Sequence, residues 1–406
     1  MVVDDRMVTK NAAGEDFDLS RAKEFSFTRF YRDHLNSERL QISRDEVTWL
    51  ERYSKPAEGA EVVLNLSCGV QNTPHLMLTQ VALFEALGVD FVAVAGNKYC
   101  CGRPFQRFGK GHVGDAMAAR AIDRFASWQP EVNVQCCGSC LIEFNYHVKV
   151  ISKQRGQAPF EVIHITDYLA DRLVEMGDDI PWRKSIPRRV MLHAEGAEVH
   201  PTKEAAKSAV IRTLELIPGI EYVGLVNSPS LGQPCATKGP GEPSVLNDIT
   251  PEQYVEVQHD LQAQADALGA DAILTHHHMC HREWCKFGSD RLPVIHYQSL
   301  LAEALGIRIP DRFQTLWKLG DPEMIFEQTR RHWASWGMDE KEARHIVNHH
   351  FMPEYASQVQ RCPCEGNCVE AATGAHSAGA DAGAACDTSW TATLEAGMEL
   401  PVLDLA

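Results

Sequence analysis

The sequence predicts an α/β fold made of two related units in series, each built around a mainly parallel sheet. Three observations lead there. Short apolar runs of strand length alternate with longer helical segments, the pattern of strand-helix-strand units. The pattern occurs twice: Gly88 to Val92 returns as Gly219 to Val223, and Val62 to Leu66 is matched by Arg189 to Leu192. Likewise Val162-Ile163-His164, ahead of Tyr168, Leu169 and Leu173, returns as Val294-Ile295-His296 ahead of Leu300, Leu301 and Leu305. Finally, the cysteines of the first unit fall just beyond strand ends, where open parallel sheets place their ligand sites.

Taken in order, residues 1–58 form a polar, partly helical N-terminal extension. Its aromatic residues Phe25, Phe27, Phe30, Tyr31 and Trp49 are expected to dock onto the body or onto a partner subunit. Residues 59–180 make the first unit, with strands at Val62 to Leu66, Phe91 to Val94, Val132 to Val134 and Val162 to His164, and helices such as Thr79 to Leu87 and Gly114 to Ser127. Residues 186–306 repeat this order, with a glycine- and proline-rich loop from Gly232 to Pro243 inserted at the mouth of the pocket. Residues 307–406 are a C-terminal extension in which Asp321 to Phe326 and Asp339 to His349 read as helices. Beyond them Cys362, Cys364 and Cys368 form C-x-C-x3-C, and Ala371 to Ala385 reads as a flexible linker leading to Cys386. This tail either carries mobile redox thiols or caps the body, and a metal there lacks an obvious fourth ligand.

Composition narrows the function class. A formal net charge of -16 argues against nucleic acid or an anionic membrane surface as the main partner. No run approaches the roughly 20 apolar residues needed to cross a bilayer, and Met1 to Lys10 has no basic start followed by an apolar core. The chain therefore reads as soluble and cytoplasmic, and not as an integral membrane protein. In that compartment its 13 cysteines are expected to be reduced and to serve as ligands or redox groups rather than disulfides.

The chemistry concentrates in C-x31-CC-x35-C-x2-C, formed by Cys68, Cys100, Cys101, Cys137 and Cys140. Successive side chains on an extended segment point opposite ways, so the vicinal pair cannot easily chelate one ion. It can contact different atoms of a polynuclear cluster. A mononuclear zinc site wants four ligands, usually as two chelating pairs, and a five-thiol set fits it poorly. Cys136, beside the C-x2-C, reads as a small buried residue, and Arg103 and Arg107 are positioned to bring positive charge near the thiols.

These residues resemble the cysteine-rich CCG domain of the B-type heterodisulfide reductase subunits and their relatives, with Cys100-Cys101-Gly102 as the namesake tripeptide. The likeness runs through residues 60–178, and the second half resembles it in architecture. The resemblance implies two Rossmann-like CCG units and an oxidoreductase acting on sulfur groups. It also implies that Cys68, Cys100, Cys101, Cys137 and Cys140 bind a non-cubane [4Fe-4S] cluster that forms or cleaves disulfides.

The second half departs from that pattern. After Leu192 the loop reads His193-Ala194-Glu195-Gly196-Ala197 with no cysteine, Pro234-Cys235 stands for the vicinal pair, and His277 with Cys280 stands for the C-x2-C. Three readings are open. His193, Cys235, His277 and Cys280 form a four-ligand set suited to zinc or iron. The half is vestigial and kept for shape and subunit contact. Or His276, His277, His278, His281 and Arg282 surround a bound thiol or anion, with Cys235 or Cys280 available for a mixed disulfide. Cys285 has no counterpart in the first half and is expected to pack beside Trp284.

The chain lacks an evident GxGxxG phosphate loop, one leading directly out of a strand, for a flavin or nicotinamide, and it lacks the C-x2-C-x2-C-x3-C run of a ferredoxin, so electrons must pass to or from other subunits. The resemblance implies a ferredoxin-like iron-sulfur subunit and a flavin-containing subunit as partners. One intact thiol set and the added tail favour a bacterial heterodisulfide-reductase-like complex of sulfur oxidation, with a thiol, disulfide, persulfide or protein-bound lipoyl sulfur as substrate. Two alternatives remain: an electron-relay subunit of a lactate, glycolate or glycerol-phosphate oxidase, and a non-catalytic cluster-bearing scaffold.

Overall fold

A computed structural model describes residues 26–47, 59–107, 110–194, 201–227 and 249–353. Phe25, Trp49, the insertion from Gly232 to Pro243 with Cys235, and Cys362, Cys364, Cys368 and Cys386 lie outside these residues. The elements run α1 (Phe27–Gln41), β1 (Val62–Asn65), α2 (Pro74–Ala86), β2 (Phe91–Val94), α3 (Arg103–Arg107), α4 (Gly111–Ala126), β3 (Val132–Gln135), α5 (Gly138–Arg155), β4 (Glu161–His164) and α6 (Ile165–Met176). The second unit follows with β5 (Arg188–His193), α7 (Pro201–Leu216), β6 (Ile220–Leu225), α8 (Pro251–Leu268), β7 (Ala272–Thr275), α9 (His278–Trp284), β8 (Val294–His296) and α10 (Tyr297–Ala304). Four helices close the described chain: α11 (Arg312–Leu319), α12 (Pro322–Gln328), α13 (Arg330–Ser335) and α14 (Glu340–Phe351).

The two sheets have the same topology. One is ordered β2-β1-β3-β4 and the other β6-β5-β7-β8, and every pairing is parallel. In each, the chain steps to one side of the first strand and then returns to its other side, so the strand order reverses between β1 and β3 and between β5 and β7. Crevices at such reversals are where open sheets bind ligands. The strands are short, and the central β1 and β7 are buried on both faces, which explains their apolar runs, while the edge strands β4 and β6 stay partly exposed.

The units pack through the helices that follow their first and last strands. Helix α2 packs on α10, and α6 packs on α7. These contacts are reciprocal: in each, a helix after a first strand meets a helix after the other unit's last strand, which is what a twofold relation between repeats requires. One apolar core spans the junction, drawing Leu83, Phe84 and Leu169 from the first unit and Val210, Leu300 and Leu301 from the second. Cys136 lies in it, as a small apolar residue would. A second core, under α4 and α5, holds Phe125, Phe144 and Trp128. A third joins β5, β7 and α8 to the C-terminal helices through Trp284, Phe313 and Trp317.

Local signals account for several boundaries. Helix α8 opens on a capping box in which Thr250 Oγ1 accepts from Gln253 N and the Gln253 side chain accepts from Thr250 N, with Pro251 at the first helical position. Asp311, Asp321 and Asp339 cap α11, α12 and α14. Among the described residues no helix is long and apolar enough to cross a membrane.

Candidate metal centre

The thiol segments after β1 and β2 leave their strands by turns of positive φ. After β1, Ser67 adopts a positive φ of 59°, and Cys68 then leads a 3-10 turn, Gly69–Asn72. A non-glycine residue in this region is uncommon, and such strain gathers at functional sites. Beneath it, Asn65 Nδ2 donates to Gln135 Oε1 at 2.8 Å, tying the ends of β1 and β3 at the strand-order reversal. After β2, Gly96 turns the chain at φ 86°. The vicinal pair ends at Gly102, with φ 77°, where a Cβ would lie 2.4 Å from the Gly114 carbonyl oxygen. Glycine is required there both by backbone conformation and by the approach of α4. After β3, Cys137 precedes α5 and Cys140 sits in its first turn.

The five thiols form one connected set. Cys68 and Cys100 Sγ are 4.0 Å apart and Cys101 and Cys140 Sγ are 3.4 Å apart, while Cys100 with Cys101 and Cys137 with Cys140 are close enough to shift one another's protonation. All five are free thiols. Hydrogen bonds from Cys101 and Cys68, then from Tyr31 and the Gly102 N–H, hold Cys100 well below the usual thiol range against burial. The Cys140 thiol, with help from His277, does the same for Cys137. Cys68, Cys101 and Cys140 are driven up, chiefly by bonding to those neighbours and by burial. A soft, five-sulfur donor set gathered from three strand ends fits a polynuclear iron-sulfur group and exceeds what one tetrahedral zinc ion takes.

The second unit completes the site. His277 stands between sulfurs of both units, with Nε2 3.9 Å from Cys137 Sγ and Nδ1 3.9 Å from Cys280 Sγ. His277, His278 and Cys137 bring their ligand atoms within 4.8 Å of one another. His278 is buried and held neutral, its pKa lowered to about 3 mainly by burial, and a Cβ on Gly69 would lie 2.5 Å from its Nε2. His164, at the end of β4, is likewise buried and neutral, and the charges of His276, His277 and Cys137 act on it.

Of the other expected ligands and contacts, His193 stacks on Trp284 with ring centroids 4.0 Å apart, and its carbonyl oxygen bonds His276 Nδ1 at 3.2 Å. Within the described residues, then, His277 and Cys280 come together while His193 faces Trp284, and Cys235 lies outside them. Arg282 lies along Glu283, Nε to Oε1 at 3.3 Å, and over the Phe313 ring. Arg103 is buried and pairs with Glu143 of α5 at 2.5 Å, so it joins the vicinal-pair segment to the C-x2-C helix. Cys285 packs beside Trp284 in the third core.

One contributor escaped sequence reasoning. Tyr31 of α1 reaches the cage with its hydroxyl 3.3 Å from Cys100 Sγ, and burial followed by the thiolates around Cys100 pushes its pKa up strongly. The aromatic spacing of α1 marked a docking helix, and Phe27 indeed stacks on Phe105 at 4.0 Å. Nothing in that spacing singled out the hydroxyl.

Comparison with known proteins bears on this segment directly. Residues 62–145 match the cysteine-rich CCG domain. That span runs from β1 into α5 and contains all five thiols of the cage. Over a longer stretch the chain is similar to the D-type subunits of dihydromethanophenazine:CoB--CoM heterodisulfide reductase. The protein of Methanosarcina barkeri is 26% identical over 57% of this chain and 56% of its own length, and that of Methanosarcina mazei is 25% identical over 66% and 64%. The matches thus span less than two thirds of those relatives, and they fall on D-type subunits, where the cysteine spacing suggested a B-type likeness. A solved hypothetical protein from Helicobacter pylori aligns over 67% of this chain and 56% of its own length at 10% identity, with a TM-score of 0.39, too low to assign a shared fold.

Proposed function

We propose that this chain is an iron-sulfur redox subunit that forms or cleaves a disulfide- or persulfide-type bond within a heterodisulfide-reductase-like complex. The observation that carries this reading is the connected five-thiol cage of the CCG domain, closed from the opposite side by His277 and His278. Cys68, Cys100, Cys101, Cys137 and Cys140 would hold a non-cubane [4Fe-4S] cluster. When bound, the cluster supplies one-electron steps to a disulfide couple that needs two electrons.

The chain's own residues account for the rest. Cleaving one S–S bond to two thiols takes up two electrons and two protons. The electrons are delivered by partner subunits, for which a ferredoxin-like iron-sulfur subunit and a flavin-containing subunit are the candidates. His277, placed between Cys137 and Cys280, is positioned to hold or move a proton beside a substrate sulfur. The buried, neutral rings of His278 and His164 exclude water from the same face without adding charge. Tyr31 and the Gly102 N–H donate to Cys100 and so tune the cage sulfurs.

Among the described residues, one thiol cage beside a histidine-lined second unit supports the sulfur-oxidation placement, with a persulfide or lipoyl-bound sulfur as substrate. The test is spectroscopic. Adding a disulfide or a thiol to the anaerobic, oxidised protein is expected to change its electron paramagnetic resonance signal. A spectrum indifferent to every such compound would favour a scaffold or a pure relay.

A further inference from the structure

A cluster of ligand-type side chains distinct from the cage lies on α2, α9 and the cap of α11. His75 is in the first turn of α2, His281 is in α9, and Asp311 caps α11, so the first unit, the second unit and the C-terminal extension each contribute one residue. Their ligand atoms lie within 4.8 Å of one another. The Asp311 carboxylate is shared: Oδ2 is 2.6 Å from His281 Nε2, and Oδ1 is 3.4 Å from His75 Nδ1. Both histidines are essentially inaccessible to solvent, while Asp311 keeps 19% of its side-chain surface exposed.

Hydrogen bonding leaves this cluster incomplete. His75 is fully buried, yet among the described residues neither of its ring nitrogens has a hydrogen-bond partner, the approach to Asp311 being misaligned for one. A buried imidazole without partners is costly. His281, by contrast, is oriented as metal-bound imidazoles are: its Nδ1 meets Thr275 Oγ1 at 2.9 Å, which directs Nε2 at the carboxylate. The backbone N–H of Gln314 fixes Asp311 Oδ1 at 3.0 Å. The nearby His296 is engaged elsewhere, Nδ1 accepting from Gln298 N and the ring also bonding the His276 backbone, so it belongs to the packing and not to the cluster.

We propose that His75, His281 and Asp311 bind a zinc ion that pins the two units and the C-terminal helices together beside the thiol cage. Two imidazoles and one carboxylate are a zinc donor set, and three protein ligands leave a position for water, which the exposed edge of Asp311 can reach. In a tetrahedral site with bonds of about 2.0–2.2 Å, neighbouring ligand atoms stand roughly 3.3–3.5 Å apart. The His75 approach to Oδ1 already has that separation, whereas His281 meets the other oxygen, Oδ2, at 2.6 Å, so the carboxylate must turn to present one oxygen to both rings. The cation gives His75 its missing partner. No thiol takes part, which separates this site from the cage and from any metal at His277 and Cys280.

The test uses the full chain, purified anaerobically, equilibrated with micromolar zinc and freed of loosely bound metal. One zinc per chain is expected beyond the sulfide-matched iron, with only nitrogen and oxygen neighbours in X-ray absorption at the zinc edge. Sulfur neighbours, or no retained zinc, would overturn the proposal. His75→Ala should lower retained zinc at least tenfold with iron and sulfide unchanged. Thr275→Val, which keeps every ligand, should weaken zinc binding 10- to 100-fold, the loss typical when an orienting partner is removed. His296→Asn should retain zinc at the wild-type level. Zinc unaffected by both His75→Ala and Thr275→Val would place the metal elsewhere and refute the assignment.

Discussion

At Gly102 a single hydrogen atom in place of a side chain decides whether the cage forms. Any Cβ would meet Gly114 of α4 while the backbone stays at a positive φ. Gly102→Ala is therefore expected to cost about 1–3 kcal/mol from backbone strain alone, with the clash adding to it. Thermal melting of the apoprotein should fall accordingly, and a wild-type melt would contradict the geometry. Tyr31→Phe makes a gentler change, removing one hydrogen bond to Cys100 Sγ. Hydrogen bonds to cluster sulfurs help set reduction potential, so a redox titration should give a more negative midpoint with iron content unchanged; an unaltered midpoint would show that Tyr31 does not tune the site. The five thiols were legible in the sequence because their spacing is local to strand ends. The Tyr31 hydroxyl and the meeting of His75 with His281 and Asp311 were not, because they join across long sequence separations fixed only by how elements pack.

Among elements, α1 carries the clearest pH dependence. Glu38 is buried against the turn that follows Cys68, with Gln71 Nε2 donating to its Oε2 at 2.7 Å. Burial raises its pKa from 4.5 to about 7, outweighing the Gln71 hydrogen bond and Arg39. Between these values the folded chain holds a proton that the unfolded chain has released, so stability falls as pH rises from about 4.5 through about 7 and stays at the lower level above. Glu38→Gln should remove that slope, raising the melting temperature at pH 8 by an amount worth up to about 3 kcal/mol while changing little at pH 5. A mutant that melts below wild type at pH 8 would show that the carboxylate is stabilised there. Strand and helix order were readable from apolar periodicity and the internal repeat. The starts of the helices Pro251–Leu268 and Arg312–Leu319 are marked by cap residues instead, a capping box at Thr250 and Asp311 at an N-cap.

For the whole molecule, duplication has produced two like scaffolds with unlike sites. The continuous core across α2, α6, α7 and α10 binds the units into one body. Leu300→Ala, at its centre, is expected to destabilise by about 2–5 kcal/mol, and denaturant unfolding should report one transition for Trp128 of the first unit and Trp284 of the second. Two resolved transitions would mean the units fold independently. The repeat foretold two sheets, whereas the approach of His277 to Cys137 depends on the reciprocal helix contacts and could not be read from spacing. That approach brings a histidine of the second unit to 3.9 Å from a thiol of the first. The most direct test of the central claim is iron and acid-labile sulfide analysis of anaerobically purified wild type, Cys101→Ala and Cys280→Ala. About four irons and four sulfides per wild-type chain, lost in Cys101→Ala and largely kept in Cys280→Ala, are expected; wild-type protein with stoichiometric zinc and no iron would contradict the account.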